Sequence, residues 1–248
     1  MNLLLLLTSQ KSLLVAPLLA LKQYPSKNLR VAINSNLGLK EEVLEKLINI
    51  THDIDVKEFD LYTSNESYGE HAEYIRDGLK YERWRGNVVR ILEEAKCRQL
   101  IIMMTINSLC LSSITEFMDE ILKFKKKHDI SHPTMSLNIL RFPSFQSCAM
   151  LPMEIRQKYS EKIQLWLNQQ IKLDLRTSSG EQILNPIERE QTQRLVDYLD
   201  IIKTPHKNVK DPEQNKRDFK QFYTQYDQRR GKNFTQAFPN LAEWYNSL

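Results

Sequence analysis

The chain has 248 residues, 41% apolar and 27% charged. This is an ordinary globular composition, long enough to bury a sizeable core as one large domain or two small ones. Its 6 glycines, against about 17 at an average usage of roughly 7%, never stand two within four residues, which excludes a Walker-type phosphate loop and a G-x-G-x-x-G dinucleotide fingerprint. The net charge of +4 resides in the segment from Lys203 to Leu248, where nine Lys/Arg face five Asp/Glu. Interleaved acids and aromatics make that segment a solvated helical surface, so no specific nucleic-acid partner is expected.

Leu3 to Leu7 is apolar, and a second apolar run from Leu13 to Leu21 follows beyond Lys11. A secretory signal wants basic residues ahead of one unbroken run, and neither run approaches the roughly 20 residues that span a bilayer. A strand stub and a buried helix are expected, with no membrane partner. Leu29 to Asn34 reads as a strand, and Lys40 to Ile50 as a helix with Val43, Leu44, Leu47 and Ile48 at helical spacing. Val56 to Tyr62 is a second strand, and Tyr81 to Ala95 a helix burying Trp84, Val88, Ile91 and Leu92. Gln99 to Thr105 is continuously apolar and reads as a fully buried strand. Ile114 to Lys127 is the next helix and Met135 to Leu140 the last strand.

Strands and helices in strict alternation predict right-handed crossovers and a parallel sheet, hence an α/β fold. Such sheets bind ligands beyond the carboxyl ends of their strands. Polar residues gather at those ends: Asn34 and Asn36, Ser64 and Glu66, Asn107, Arg141. Some of them, Ser35 or Asn36 and Ser112 or Ser113 above all, are also the residue types that cap a following helix. After Pro152 the alternation stops. Glu154 to Leu173 and Glu188 to Ile202 are helical by period, Lys203 to Pro212 reads as a linker, and Phe219, Phe222, Tyr223 and Tyr226 open an aromatic stripe expected to staple the tail onto the rest. Residues 1–152 and 153–248 are read as two regions on this basis.

Cys97, Cys110 and Cys148 are too few and too far apart for a disulfide framework or an all-cysteine zinc site. His128 and His132 stand four apart beside Pro133, in a loop rather than on a ligand-bearing helix. H-E-x-x-H, G-x-S-x-G and EF-hand patterns are absent.

Six strings in order carry a resemblance: Ala32-Ile-Asn-Ser-Asn-Leu-Gly38; Phe59-Asp-Leu-Tyr-Thr-Ser-Asn-Glu66; Gly69-Glu-His-Ala-Glu-Tyr-Ile-Arg-Asp-Gly78; Met103-Met-Thr-Ile-Asn107; Leu137-Asn-Ile-Leu-Arg-Phe-Pro143; and Tyr226-Asp-Gln-Arg-Arg-Gly231. From Leu29 onward the chain resembles the radical S-adenosylmethionine enzymes, specifically the twitch-domain-containing subgroup. The resemblance implies a partial (βα) TIM-like barrel lacking its first unit, with a mostly helical C-terminal region. It also implies a [4Fe–4S] cluster that cleaves S-adenosylmethionine to start radical chemistry. By position it places Asn34 and Asn36 at the end of the third barrel strand, and Ser64 and Glu66 at the end of the fourth, near the ribose and methionine moiety. Arg76 would pair with the cofactor carboxylate, Asn107 would end the fifth strand, and Leu140 with Arg141 would border the adenine. Read from the residues alone, Arg76 is equally a helix-surface partner for Glu73, three positions before it.

The chain departs from the family pattern at one decisive place. The C-x-x-x-C-x-x-C loop and the G-G-E-P segment have no counterpart, and the three cysteines cannot imitate the loop. The cluster is therefore not expected to bind this chain, and the expectation is a torso, inactive alone, acting on an unknown peptide or small molecule. The alternative is a non-catalytic binding or scaffold protein reusing the barrel. A hydrolase built on Glu66 or Glu70 with His71 lacks an accompanying nucleophile or metal framework. A cytoplasmic location is expected from the missing export signal and the family's oxygen sensitivity.

Overall fold

The computed structural model describes residues 2–6, 16–23, 26–201 and 212–248. Five strands, β1 (Asn2–Leu6), β2 (Ser26–Ser35), β3 (Val56–Ser64), β4 (Gln99–Ile106) and β5 (Thr134–Ile139), form one sheet in the order of the chain. Every neighbouring pair is parallel, so the α/β expectation holds. Between them run α1 (Ala16–Gln23), α2 (Glu41–Asp53), α3 (Gly69–Ile75), α4 (Tyr81–Glu94) and α5 (Ile114–His128). Strand order that follows chain order, with right-handed crossovers, puts every crossover helix on one face of the sheet. The helices accordingly pack in series, α1 on α2, α2 on α4 and α4 on α5.

Side-chain alternation separates the two faces. Leu29, Val31 and Ile33 of β2, Phe59 and Leu61 of β3, Leu100, Ile102, Met104 and Ile106 of β4, and Met135 and Leu137 of β5 are buried under the helices. They meet the helical stripes predicted from spacing, among them Leu44, Leu47 and Ile48 of α2 and Trp84, Val88 and Ile91 of α4. Trp84 Nε1 donates to Thr63 Oγ1 at 3.1 Å, fixing α4 to β3. The basic last turn of α5, Lys125 to His128, complements the helix dipole, and Asp129 ends the helix at φ 52°.

The C-terminal region comprises α6 (Met153–Leu173), α7 (Pro186–Ile201), α8 (Pro212–Arg230), α9 (Phe234–Ala237) and α10 (Ala242–Ser247). The expected linker at 203–212 lies, but for Pro212, outside the described residues. Helix α7 does for β5 what a sixth strand would do. Gln191 Oε1 accepts the Leu137 N–H at 2.8 Å, Glu188 Oε1 accepts the Met135 N–H at 2.8 Å, and Arg194 reaches the Leu137 carbonyl at 3.4 Å. Positions 188, 191 and 194 lie on one helix face, so the edge of β5 is satisfied by side chains and closed to further pairing. Behind it, Lys125 Nζ lies 2.6 and 2.8 Å from the Glu188 carboxylate, with both side chains essentially inaccessible.

The aromatic stripe staples the tail as expected. Phe219, Tyr223, Phe234 and Phe238 are buried, and Tyr74 of α3 packs against Tyr223, Phe234 and Phe238. Tyr74 Oη also donates to Asp227 at 2.7 Å.

Candidate functional site

Because all strands are parallel, the carboxyl ends of β2, β3, β4 and β5 open on the same edge of the sheet. There the structure places Asn34, Asn36, Ser64, Glu66, Asn107, Leu140 and Arg141. It does not bring them together as one set. Asn34 and Ser64 share the face that the described helices leave uncovered, and Asn34 Nδ2 reaches over β3 to Met103 Sδ at 3.7 Å. Asn107 is buried and turned to its own loop, its Oδ1 accepting the Leu109 and Cys110 amides at 3.0 and 3.1 Å. Asn36 is exposed and accepts the Gly38 amide at 3.1 Å. Leu140 is half-buried, its amide donating to the Ile106 carbonyl at 2.8 Å, and Arg141 is exposed beside Phe142.

Two local expectations are corrected. Ser35, Asn36 and Ser113 do not cap the following helices. Lys40 precedes α2 without a side-chain cap, and Ser113 Oγ instead meets Ser67 Oγ at 2.8 Å and the Tyr68 amide at 3.1 Å. Arg76 does not pair with Glu73, whose carboxylate accepts the Tyr81 amide at 2.8 Å. The guanidinium of Arg76 turns to Glu66, with Nε 3.1 Å from Oε2 and Nη2 on the same oxygen. Glu66 is buried, its side chain 4% exposed, while Arg76 keeps 28%. Burial pushes the Glu66 carboxyl above the usual glutamate range; the Arg76 guanidinium and the Thr105 backbone N–H pull it back only in part.

Most of the face that the described helices leave uncovered was not legible in the sequence. Gln99 to Thr105 is not fully buried: Thr105 is exposed, and Gln99 and Met103 are half-buried. With Tyr62, Ser64, Ser136 and Asn138 they form a largely polar surface on alternate positions of β3, β4 and β5, interrupted by Met103 and by buried Ile101. A period-two signal was present in Asp60-x-Tyr62-x-Ser64 and Ser136-x-Asn138, but the apolar neighbours mask it. Towards the amino ends the same face carries ion pairs, Arg30 with Glu58 at 3.4 Å and Arg98 with Glu58 and Asp60. Parallel sheets normally have both faces covered, so this face, which no described helix covers and which adjoins the carboxyl edge, is the candidate place for a ligand.

Among the described residues no group of three or more His, Cys, Asp or Glu side chains is placed to hold a metal ion. The three cysteines are free. Burial holds their thiols protonated, Cys97 pushed up to about 11, Cys148 to about 12 and Cys110 well above its ordinary value. His71 is no acid–base partner for Glu66 or Glu70 in this arrangement. Its Nε2 lies 2.8 Å from the Ala237 carbonyl, and its ring stacks on Phe238 at 4.9 Å. No described helix is long and apolar enough to cross a membrane.

Compared with family models, with curated proteins and with solved structures, the chain matches none.

Proposed function

We propose that this chain is a radical S-adenosylmethionine-like protein whose sheet is a partial TIM-like barrel. On this reading its uncovered face and carboxyl edge receive an S-adenosylmethionine-type ligand without radical chemistry on its own residues. The observation that carries this is the sequential parallel order of β2 to β5, with polar side chains of consecutive strands on one open face at one edge. Ribose hydroxyls and an amino-acid head group call for neutral donors and acceptors, which Asn34, Ser64, Thr105 and Asn138 supply, and exposed Arg141 adds a cation at the rim.

The [4Fe–4S] cluster does not fit these residues. Such a cluster is held by thiolates at close, defined spacing, and the thiols of Cys110 and Cys148 are buried and held protonated. Without the iron that would chelate its methionine end, S-adenosylmethionine is expected to bind weakly, with a dissociation constant of about 0.1 mM or above. Calorimetric titration tests this. Weak binding, lost in Ser64→Ala and Asn34→Ala, supports the reading; no heat with several millimolar ligand, or sub-micromolar binding, overturns it. A non-catalytic binding protein is the second reading, favoured by the closure of the β5 edge by Glu188 and Gln191, which is how independently stable proteins treat exposed strands.

A further inference from the structure

A separate opening of about 630 Å³ lies between the loop after β2, the first turns of α2 and α4, and the turn joining α3 to α4. Asn36, Lys40, Arg76, Asp77, Gly78 and Arg83 line it. Its walls are fixed by bonds made elsewhere. Asn87 Nδ2 donates to the carbonyls of Leu37 and Leu39 at 2.7 and 2.9 Å, holding the β2–α2 loop against α4. Gly78 turns the chain at φ 82°, a conformation natural to glycine.

The charges in this cleft are unequally committed. Asp77 is taken by Arg230 at 2.8 Å and Lys232 at 3.3 Å. Arg76 is pinned by buried Glu66, which leaves Nη1 free to donate. Lys40 and Arg83 have no side-chain hydrogen bond or ion pair with any described residue. Three cations thus line the cleft against one anion that is already neutralised, and a concave, low-dielectric wall focuses that field. A phosphate monoester dianion matches two unpaired cations, and guanidinium suits its oxygens. The volume falls within the range of small-molecule sites and leaves room for more than the phosphate.

We infer that this cleft binds the phosphate of a small phosphorylated molecule, with Lys40 and Arg83 on the phosphate oxygens and Arg76, oriented by Glu66, as a third donor. The inference goes beyond the S-adenosylmethionine reading and does not rest on it. Calorimetry at low salt with ribose 5-phosphate, inorganic phosphate and uncharged ribose tests it. Ribose 5-phosphate should bind and ribose should not. Lys40→Ala and Arg83→Ala, both exposed positions, should each weaken binding about tenfold, and the double variant should abolish it, whereas Lys126→Ala on α5 should change nothing. Equal affinity for inorganic phosphate supports the site with the phosphate itself as ligand; weaker affinity supports an organic phosphate. Binding of ribose as tight as that of its phosphate, no binding of either phosphate, or full affinity in the double variant overturns the inference. Ser64→Ala, which should weaken S-adenosylmethionine, should leave ribose 5-phosphate untouched, so the two readings fail separately.

Discussion

Removing Glu188 should cost this protein more than any surface change, because one carboxylate there accepts four hydrogen bonds from three donor groups at once. It accepts Lys125 Nζ at 2.6 and 2.8 Å, the Met135 amide at 2.8 Å and the Asn185 amide at 2.9 Å, in surroundings closed to water. Breaking a buried pair by deleting one partner costs about 3–5 kcal/mol, and each buried amide left without an acceptor about 1–3 kcal/mol. These costs overlap where water enters the gap, so Glu188→Ala should lose about 4–6 kcal/mol, a large part of the 5–15 kcal/mol typical of whole domains. Glu188→Gln keeps one acceptor for an amide and should lose less. Burial already holds the Lys125 pKa below its ordinary value. Without Glu188 it falls further below its unfolded value, so the native state binds fewer protons and the deficit of Glu188→Ala should shrink as pH rises from 7 towards 10. Urea unfolding followed by tryptophan fluorescence measures both effects. A loss below about 1 kcal/mol, or a deficit that grows with pH, would show that Glu188 does not hold these donors in a closed interior.

The three thiols offer a chemical check. With Cys110 and Cys148 buried and all three thiols held protonated at neutral pH, iodoacetamide at pH 8 should label the native protein slowly, and at Cys97 alone if anywhere. All three should react in urea; fast native labelling of Cys148 would show that its burial is wrong. Acid should destabilise the fold earlier than its carboxylates account for. Burial lowers the pKa of both His71 and His132, so the unfolded chain binds more protons than the native one as pH falls through about 6.5, and stability is lost there. The melting temperature should drop between pH 7.5 and 5.5. His71→Phe, which keeps the stack on Phe238, should flatten part of that slope, and an unchanged slope would exclude His71 as a source.

Most of the strand and helix order was legible in the sequence between Leu29 and Leu140, because crossover helices carry a 3.6-residue stripe and parallel strands an apolar run; α3 was not, because its seven residues are too few to show a period. The carboxyl-edge position of Asn34, Ser64 and Asn107 followed from parallel order alone. What stayed hidden depends on neighbours distant in sequence. Arg76 finds buried Glu66, ten residues earlier in the loop after β3, while Glu73 is taken by the Tyr81 amide. Thr105 is exposed on a face of β4 that no described helix covers, which no property of the Gln-Leu-Ile-Ile-Met-Met-Thr string reveals. Closure of the β5 edge needs Glu188 and Gln191 more than fifty residues downstream of the amides they accept. Asn107 carried the right residue type for a ligand contact but spends its oxygen on the turn after β4.

On the function proposed above, the carboxyl edge and the uncovered face of the parallel sheet receive an S-adenosylmethionine-type ligand. Backbone amide shift mapping by NMR, with the isotopically labelled chain titrated to millimolar S-adenosylmethionine, tests it most directly. Shifts concentrated at 34–36, 62–66, 103–107 and 138–141 are the predicted result. Shifts clustered at the amino ends of the strands, around Lys57 and Gln99, or no shifts at all, would contradict it.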